Sequence, residues 1–190
     1  MLTVIIPTNE SERPLVRTLA CLVGGVTAGL VRDVILADAG SADETAKVAD
    51  VAGCTFMRAP GPLGQRLRRA AASARGDWLM FLRPGTVLEP AWIGETLRFI
   101  EQANMEDEPR AACFRRVARV ASHGTALREA GRIIRGAFGA PRPDQGMVIA
   151  KRVYERLGGH GDQGSNPESD LIRELGRRRI AILQAGASLS

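Results

Sequence analysis

Arg75-Gly76-Asp77-Trp78-Leu79-Met80-Phe81-Leu82-Arg83-Pro84-Gly85-Thr86 reads as a turn, a strand and a loop. The predicted strand, Asp77 to Leu82, is apolar from Trp78 onward with no alternation, so both of its faces are expected to be covered, as in a sheet between layers of helices. Loops at the carboxyl ends of such strands are where open α/β sheets bind ligands. The loop here is Arg83-Pro84-Gly85, which offers a guanidinium and no carboxylate. Fold and chemistry are therefore separate questions at this position.

Short β-like runs alternate with helical patterns on both sides of this stretch. Upstream, Leu2 to Ile6 predicts a strand, the segment carrying Leu15, Leu19 and Leu22 an amphipathic helix, and Val31 to Ala37 a second strand. Ser41-Ala42-Asp43-Glu44 has capping-box spacing to open the next helix. Cys54 to Arg58 predicts a third strand, stopped by Pro60-Gly61-Pro62, and Leu63 to Ala74 returns as an Ala-rich helix. Downstream, Pro90 suits the first turn of a helix running to Asn104. A strand over Ala111 to Ala118 and a helix over Thr125 to Arg135 come next, then a Gly- and Pro-rich loop to Gly146. The strand Met147 to Ala150, a short helix Lys151 to Leu157, a loop Gly158 to Asn166, a helix Pro167 to Arg177 and a strand Ile180 to Leu183 complete the chain. The alternation predicts an α/β fold with a mostly parallel sheet flanked by helices.

The chain has 190 residues, 45% hydrophobic and 25% charged, enough for one well-filled core and without the bias of a disordered or fibrous sequence. With no repeat and no linker, a single domain over 1–190 is expected. The net charge of +5 is a modest excess that suits phosphates or an anionic surface. The Arg66, Arg68 and Arg69 run and the Arg177, Arg178 and Arg179 run read as solvated faces. Cys21, Cys54 and Cys113 are far apart and odd in number, which predicts buried free thiols in a reducing compartment. No basic leader precedes the first strand and no apolar run reaches membrane-spanning length, so a cytoplasmic protein is expected, with peripheral membrane association as the variant its basic charge allows.

The strings Thr3-Val4-Ile5-Ile6-Pro7-Thr8-Asn9-Glu10 and Ala37-Asp38-Ala39-Gly40-Ser41-Ala42-Asp43-Glu44-Thr45 each lie where a strand passes into a helix. They resemble the opening strand and the D-x-G-S-x-D-x-T turn of family 2 glycosyltransferases. Asp144-Gln145-Gly146, Leu157-Gly158-Gly159-His160, and the acids Glu168 and Asp170 before Leu171 resemble the acceptor half of the same enzymes. Their order and spacing are similar to those of a small bacterial subgroup often found beside radical-enzyme genes. The resemblance implies a GT-A-like, Rossmann-like fold with a nucleotide-binding half, 1–104, and an acceptor half, 105–190. It also implies transfer of a sugar from a nucleotide donor, uridine type favoured, to an acceptor that the sequence does not name.

Two departures bear on the chemistry. The family carries D-x-D acids that hold Mn²⁺ or Mg²⁺ where this chain has Arg83-Pro84-Gly85, so the expected metal lacks its ligands and no metal site is assigned. After Pro60 the subgroup has a Gly-Arg pair followed by Gln and Asn; this chain has Gly61-Pro62, keeps Gln65, and has Leu67 in place of Asn. The resemblance points to Pro7, Thr8, Asn9, Glu10, Asp38, Gln65 and Arg83 as nucleotide-binding residues. Four of them have a plainer reading as well: Asp38, with Ser41, as a turn and cap, Glu10 as a helix-start acid, Gln65 as a solvent-facing residue, Arg83 as a surface residue of a turn.

Displacement at the anomeric carbon requires stabilisation of the leaving diphosphate and a base for the acceptor hydroxyl. Arg83 can supply the first without metal, since a guanidinium pairs bidentately with phosphate. Alignment on Leu171 places Glu168 at the family's catalytic acid, with Asp170 its rival and Ser169 the outcome of a one-residue shift. Asp144, Gln145 and His160 fall to the acceptor or sugar, His160 with a packing role as its alternative. With His123 and His160 the only histidines, a His-rich metal site is excluded; no G-x-S-x-G elbow, Walker loop or G-x-G-x-x-G run follows a strand. Nucleic-acid binding is not expected with 4% aromatics. The competing class is a catalytically silent descendant that binds a nucleotide or a protein; a basic surface binder is the third.

Overall fold

The computed structural model describes residues 1–106, 110–117, 142, 145–162 and 166–189. The first half is built from β1 (Leu2–Thr8), α1 (Glu12–Thr27), β2 (Val31–Asp38), α2 (Thr45–Val51), β3 (Thr55–Arg58), α3 (Leu63–Ser73), β4 (Trp78–Phe81), β5 (Thr86–Leu88) and α4 (Trp92–Met105). The second contributes β6 (Ala111–Arg116), β7 (Met147–Ala150), α5 (Lys151–Arg156), α6 (Pro167–Leu175), a 3-10 turn (Arg177–Arg179) and β8 (Ile180–Leu189). The helix expected over 125–135, His123 and Asp144 lie outside the described residues.

Eight strands form one sheet in the order β3-β2-β1-β4-β7-β6-β8-β5. β3, β2, β1 and β4 run parallel, β7 pairs antiparallel with both β4 and β6, and β8 runs parallel to β6 and antiparallel to β5. The sheet is thus mixed: the parallel expectation holds for the first four strands, where helices make every crossover. The chain steps from β1 to β3 in one direction and returns past β1 to β4. Right-handed crossovers therefore put α1 and α2 on one face and α3 on the other. That is why Leu2, Val4, Ile5 and Ile6 of β1 and all four residues of β4 are buried.

Local differences from the sequence reading have physical causes. Ser41 does not cap α2: its hydroxyl is drawn to Asp38, and the helix opens four residues later, with Asp43 accepting from the backbone N–H of Thr45 at 3.0 Å. β5 was not expected, because three residues after a Pro-Gly turn carry no period; it forms by pairing with β8, which extends to Leu189. Arg66 is buried, unlike the exposed Arg69 and Arg177 to Arg179. Of the free thiols only Cys113 is buried, which pushes it up to about 12; Cys21 and Cys54 are half-buried. No described helix is long and apolar enough to cross a membrane.

Candidate functional site

The carboxyl ends of β1 and β2 meet at Asp38. Its Oδ1 accepts from the hydroxyls of Thr8 (2.9 Å) and Ser41 (2.6 Å), and its Oδ2 from the backbone N–H groups of Gly40 and Ser41 (both 2.7 Å). Burial raises the affinity of this carboxyl for a proton, but the hydroxyl and N–H of Ser41, with Gly40 and Thr8, outweigh burial and hold it below the ordinary range. Asp38 has no exposed surface, and all four contacts lie within the β1 and β2 ends, which is the turn-and-cap geometry. Beside it Arg66 donates from Nη1 to the carbonyls of Thr8 (3.0 Å) and Ala37 (2.7 Å), fastening the two strand ends together. Burial lowers the guanidinium's pKa, opposed by the Asp38 charge.

The exposed edge of this cluster is Asn9 and Glu10, with Pro7 half-buried behind them. Glu10 adopts a left-handed φ of 49°, which strains a residue with a side chain, and two contacts hold it there. Its N–H donates to Ser41 Oγ (2.9 Å) and its Oε1 accepts from the N–H of Ala42 (2.8 Å). Gln65, half-buried on α3, lies against Gly61.

The Arg83-Pro84-Gly85 loop is anchored to α1, the Gly85 N–H donating to Pro14 O (3.1 Å) and Thr18 Oγ1 (2.9 Å). From it Arg83 reaches Glu168, the second residue of α6. The guanidinium engages both carboxylate oxygens, Nε to Oε1 at 3.4 Å and Nη2 to Oε2. Glu168 is 6% exposed. Asn166 caps α6, Pro167 opens it, and acids in that first turn face the positive end of the helix dipole. The structure thus brings together two sequence candidates 85 residues apart. Asp170 instead pairs with Arg173 at 2.9 Å, nearer solvent.

Of the acceptor candidates, Gln145 is buried and engaged at both ends, accepting from the Arg142 N–H and donating to Phe114 O at 2.9 Å. His160 has no exposed surface; its ring meets Phe81 edge-on at 4.7 Å, and its Nδ1 lies 2.8 Å from Tyr154 Oη. Burial, helped by the nearby Arg68 charge, pulls the imidazole down to about 3, so it is neutral at physiological pH. Phe81, Arg142, Met147, His160, Glu168 and Ile172 line a small cavity beside the end of β4.

Sequence reasoning missed Arg66 and Tyr154. A signal existed for Arg66, which falls at i+3 from Leu63 and i−4 from Ala70, on the apolar stripe of α3. Tyr154, the chain's single tyrosine, reaches His160 across the Gly158-Gly159 turn and gave no such sign.

Arg83, paired with Glu168, stands where the family's ion-binding acids are expected, and no three His, Cys, Asp or Glu side chains converge among the described residues.

This eight-stranded mixed sheet flanked by helices matches the fold of GT-A glycosyltransferase structures. Solved structures of that type superpose on the whole chain. Glucosyl-3-phosphoglycerate synthase from Mycobacterium tuberculosis, in complex with Mn²⁺, UDP and glucosyl-3-phosphoglycerate, matches with a TM-score of 0.68 at 18% identity, the chain spanning 72% of it. S. aureus TarS, residues 1–349, matches at 0.70 with 14% identity, the chain spanning 60% of it. The glycosyl transferase family 2 model matches residues 3–126, and the chain belongs to that family. A search of curated proteins found no significant match.

Proposed function

We propose that this chain transfers a sugar from a uridine diphosphate donor to an acceptor hydroxyl without a divalent ion, Glu168 serving as the base and Arg83 as the counter-charge for the diphosphate. The contact between Arg83 and Glu168 carries the reading: it sets a phosphate-binding group beside a proton acceptor at the carboxyl edge of the sheet. The uridine donor follows the synthase that binds UDP and UDP-glucose. Asn9 and Glu10, the exposed residues of the β1 turn, are the nucleotide contacts this geometry favours, with Pro7 and Gln65 flanking them. Asp38 and Thr8 act behind them by shaping the turn.

In the reaction the acceptor oxygen forms a bond to the anomeric carbon as the bond from that carbon to the diphosphate oxygen breaks. The electron pair leaves with the diphosphate and the hydroxyl proton passes to Glu168. As the diphosphate binds, the guanidinium exchanges the carboxylate for phosphate oxygens, which leaves Glu168 able to accept that proton.

Calorimetry with UDP, with Mn²⁺ and with chelator, tests this directly. Affinity is expected to be unchanged by chelator and to fall about tenfold to a hundredfold in Arg83→Ala, the scale of a charge-assisted pair. Glu168→Gln is expected to retain UDP and lose about two to four orders of magnitude in turnover. Loss of binding in chelator would defeat the metal-free reading. The second reading, a silent descendant, is favoured by the engagement of Asp38 and Gln145 within the fold; absence of UDP binding under every condition would establish it over the first.

A further inference from the structure

The segment after α5 turns through Gly158 and Gly159, both at positive φ (79° and 70°), and lays His160 over Tyr154. The His160 backbone N–H donates to Tyr154 Oη at 3.2 Å, so the oxygen's own proton remains for the imidazole Nδ1 at 2.8 Å. A hydroxyl has one proton, and giving it to Nδ1 leaves the proton of the neutral ring on Nε2. The opposite tautomer would strand the tyrosine proton without an acceptor among the described residues. Nε2 is buried and has no hydrogen-bond partner among the described residues. A buried donor left in that state costs free energy unless something accepts from it.

The small cavity identifies the class of acceptor. It measures about 10 Å³, room for one water-sized oxygen and not for a sugar ring. Of the residues that line it, Glu168 alone is a carboxylate. One side therefore offers an N–H and the other an acceptor of protons. An alcohol or water oxygen satisfies both at once, whereas an ammonium group cannot accept from the N–H.

We propose that the cavity is a single-hydroxyl subsite: one O–H oxygen lies between His160 and Glu168, accepting from Nε2–H and donating towards the carboxylate. The inference rests on the reading of Glu168 as the base and adds His160 as the donor that orients the attacking oxygen. Its remaining lone pair then faces the anomeric carbon while its proton faces Glu168. The sugar carbon gains the oxygen, the diphosphate departs with the electron pair, and Glu168 receives the proton. An acceptor alcohol in the subsite gives transfer; water gives hydrolysis of the donor.

Two measurements decide this. With ¹⁵N-labelled histidine, His123→Gln leaves one imidazole to observe. The expected spectrum has the proton on Nε2, and Glu168→Gln is expected to shift that resonance. A proton on Nδ1, or an Nε2 resonance indifferent to Glu168→Gln, overturns the proposal whether or not the chain is active. With UDP-glucose as probe, His160→Met is expected to lower UDP release about a hundredfold at unchanged UDP affinity. His160→Gln, which keeps an amide N–H at similar reach, is expected to stay within about tenfold of the unaltered chain. Equal loss in the two variants also overturns it. Added methanol separates the sources, methyl glucoside reporting an alcohol in the subsite and glucose reporting water. If the unaltered chain releases no UDP, the transferase reading fails while the imidazole spectrum still decides the subsite.

Discussion

Asp38, expected at the nucleotide, spends both carboxylate oxygens on groups of its own fold. Its carboxylate accepts from four donors at the ends of β1 and β2, and those of Thr8 and Ser41 are buried. Asp38→Ala is therefore expected to lower unfolding stability by about 3 kcal/mol, because buried N–H and O–H groups are left unpaired. Denaturant titration of the unliganded chain checks this. The pH dependence has a definite sign. The folded pKa is depressed, so the contribution is fully present above the unfolded value of about 3.9 and is lost as pH falls through the folded value. Asp38→Ala is expected to flatten the acid limb of the stability curve. An unchanged curve together with weaker UDP binding would return Asp38 to the nucleotide.

At the scale of elements, α3 packs against the loop that carries His160. A Cβ added at Gly64 would run into the carbonyl oxygen of Gly161, and Arg68 on the same helix bonds the His160 carbonyl and Asp162. Gly64→Ala is expected to cost about 2 kcal/mol through overpacking and to displace His160, read as a changed imidazole spectrum and a lower unfolding midpoint. Elements of this kind were legible in part. β4 and β7 announced themselves as apolar runs bounded by turns, and α1 by its leucine spacing. β5 and the full length of β8 were not legible, since β5 forms only against β8, and β8 runs past Leu183 only by pairing with β6 and β5. The site was legible as candidates and not as contacts. The Arg83-to-Glu168 pair joins residues whose proximity depends on the whole sheet order, and Arg66 was hidden in a run of charge although its position on the apolar stripe of α3 marked it.

For the whole molecule, β4 is the seam. It bonds β1 of the first half on one side, Leu79 beside Thr3, and β7 of the second half on the other, Leu79 beside Ile149. A fragment ending at Glu106 would leave Trp78-Leu79-Met80-Phe81 as an open edge, with a row of unpaired backbone groups flanked by bare apolar side chains. Such an edge is a template for adding further chains. The fragment is expected to precipitate when made alone and to remain in solution when the remainder of the chain is made with it, as sedimentation of the two preparations would report. A soluble, monomeric first half would show that β4 is shielded by other means. The strand that leads into Arg83 is thus also the one whose two neighbours cover an aggregation-prone edge, so a change at the seam is expected to register as lost solubility before any effect on the site.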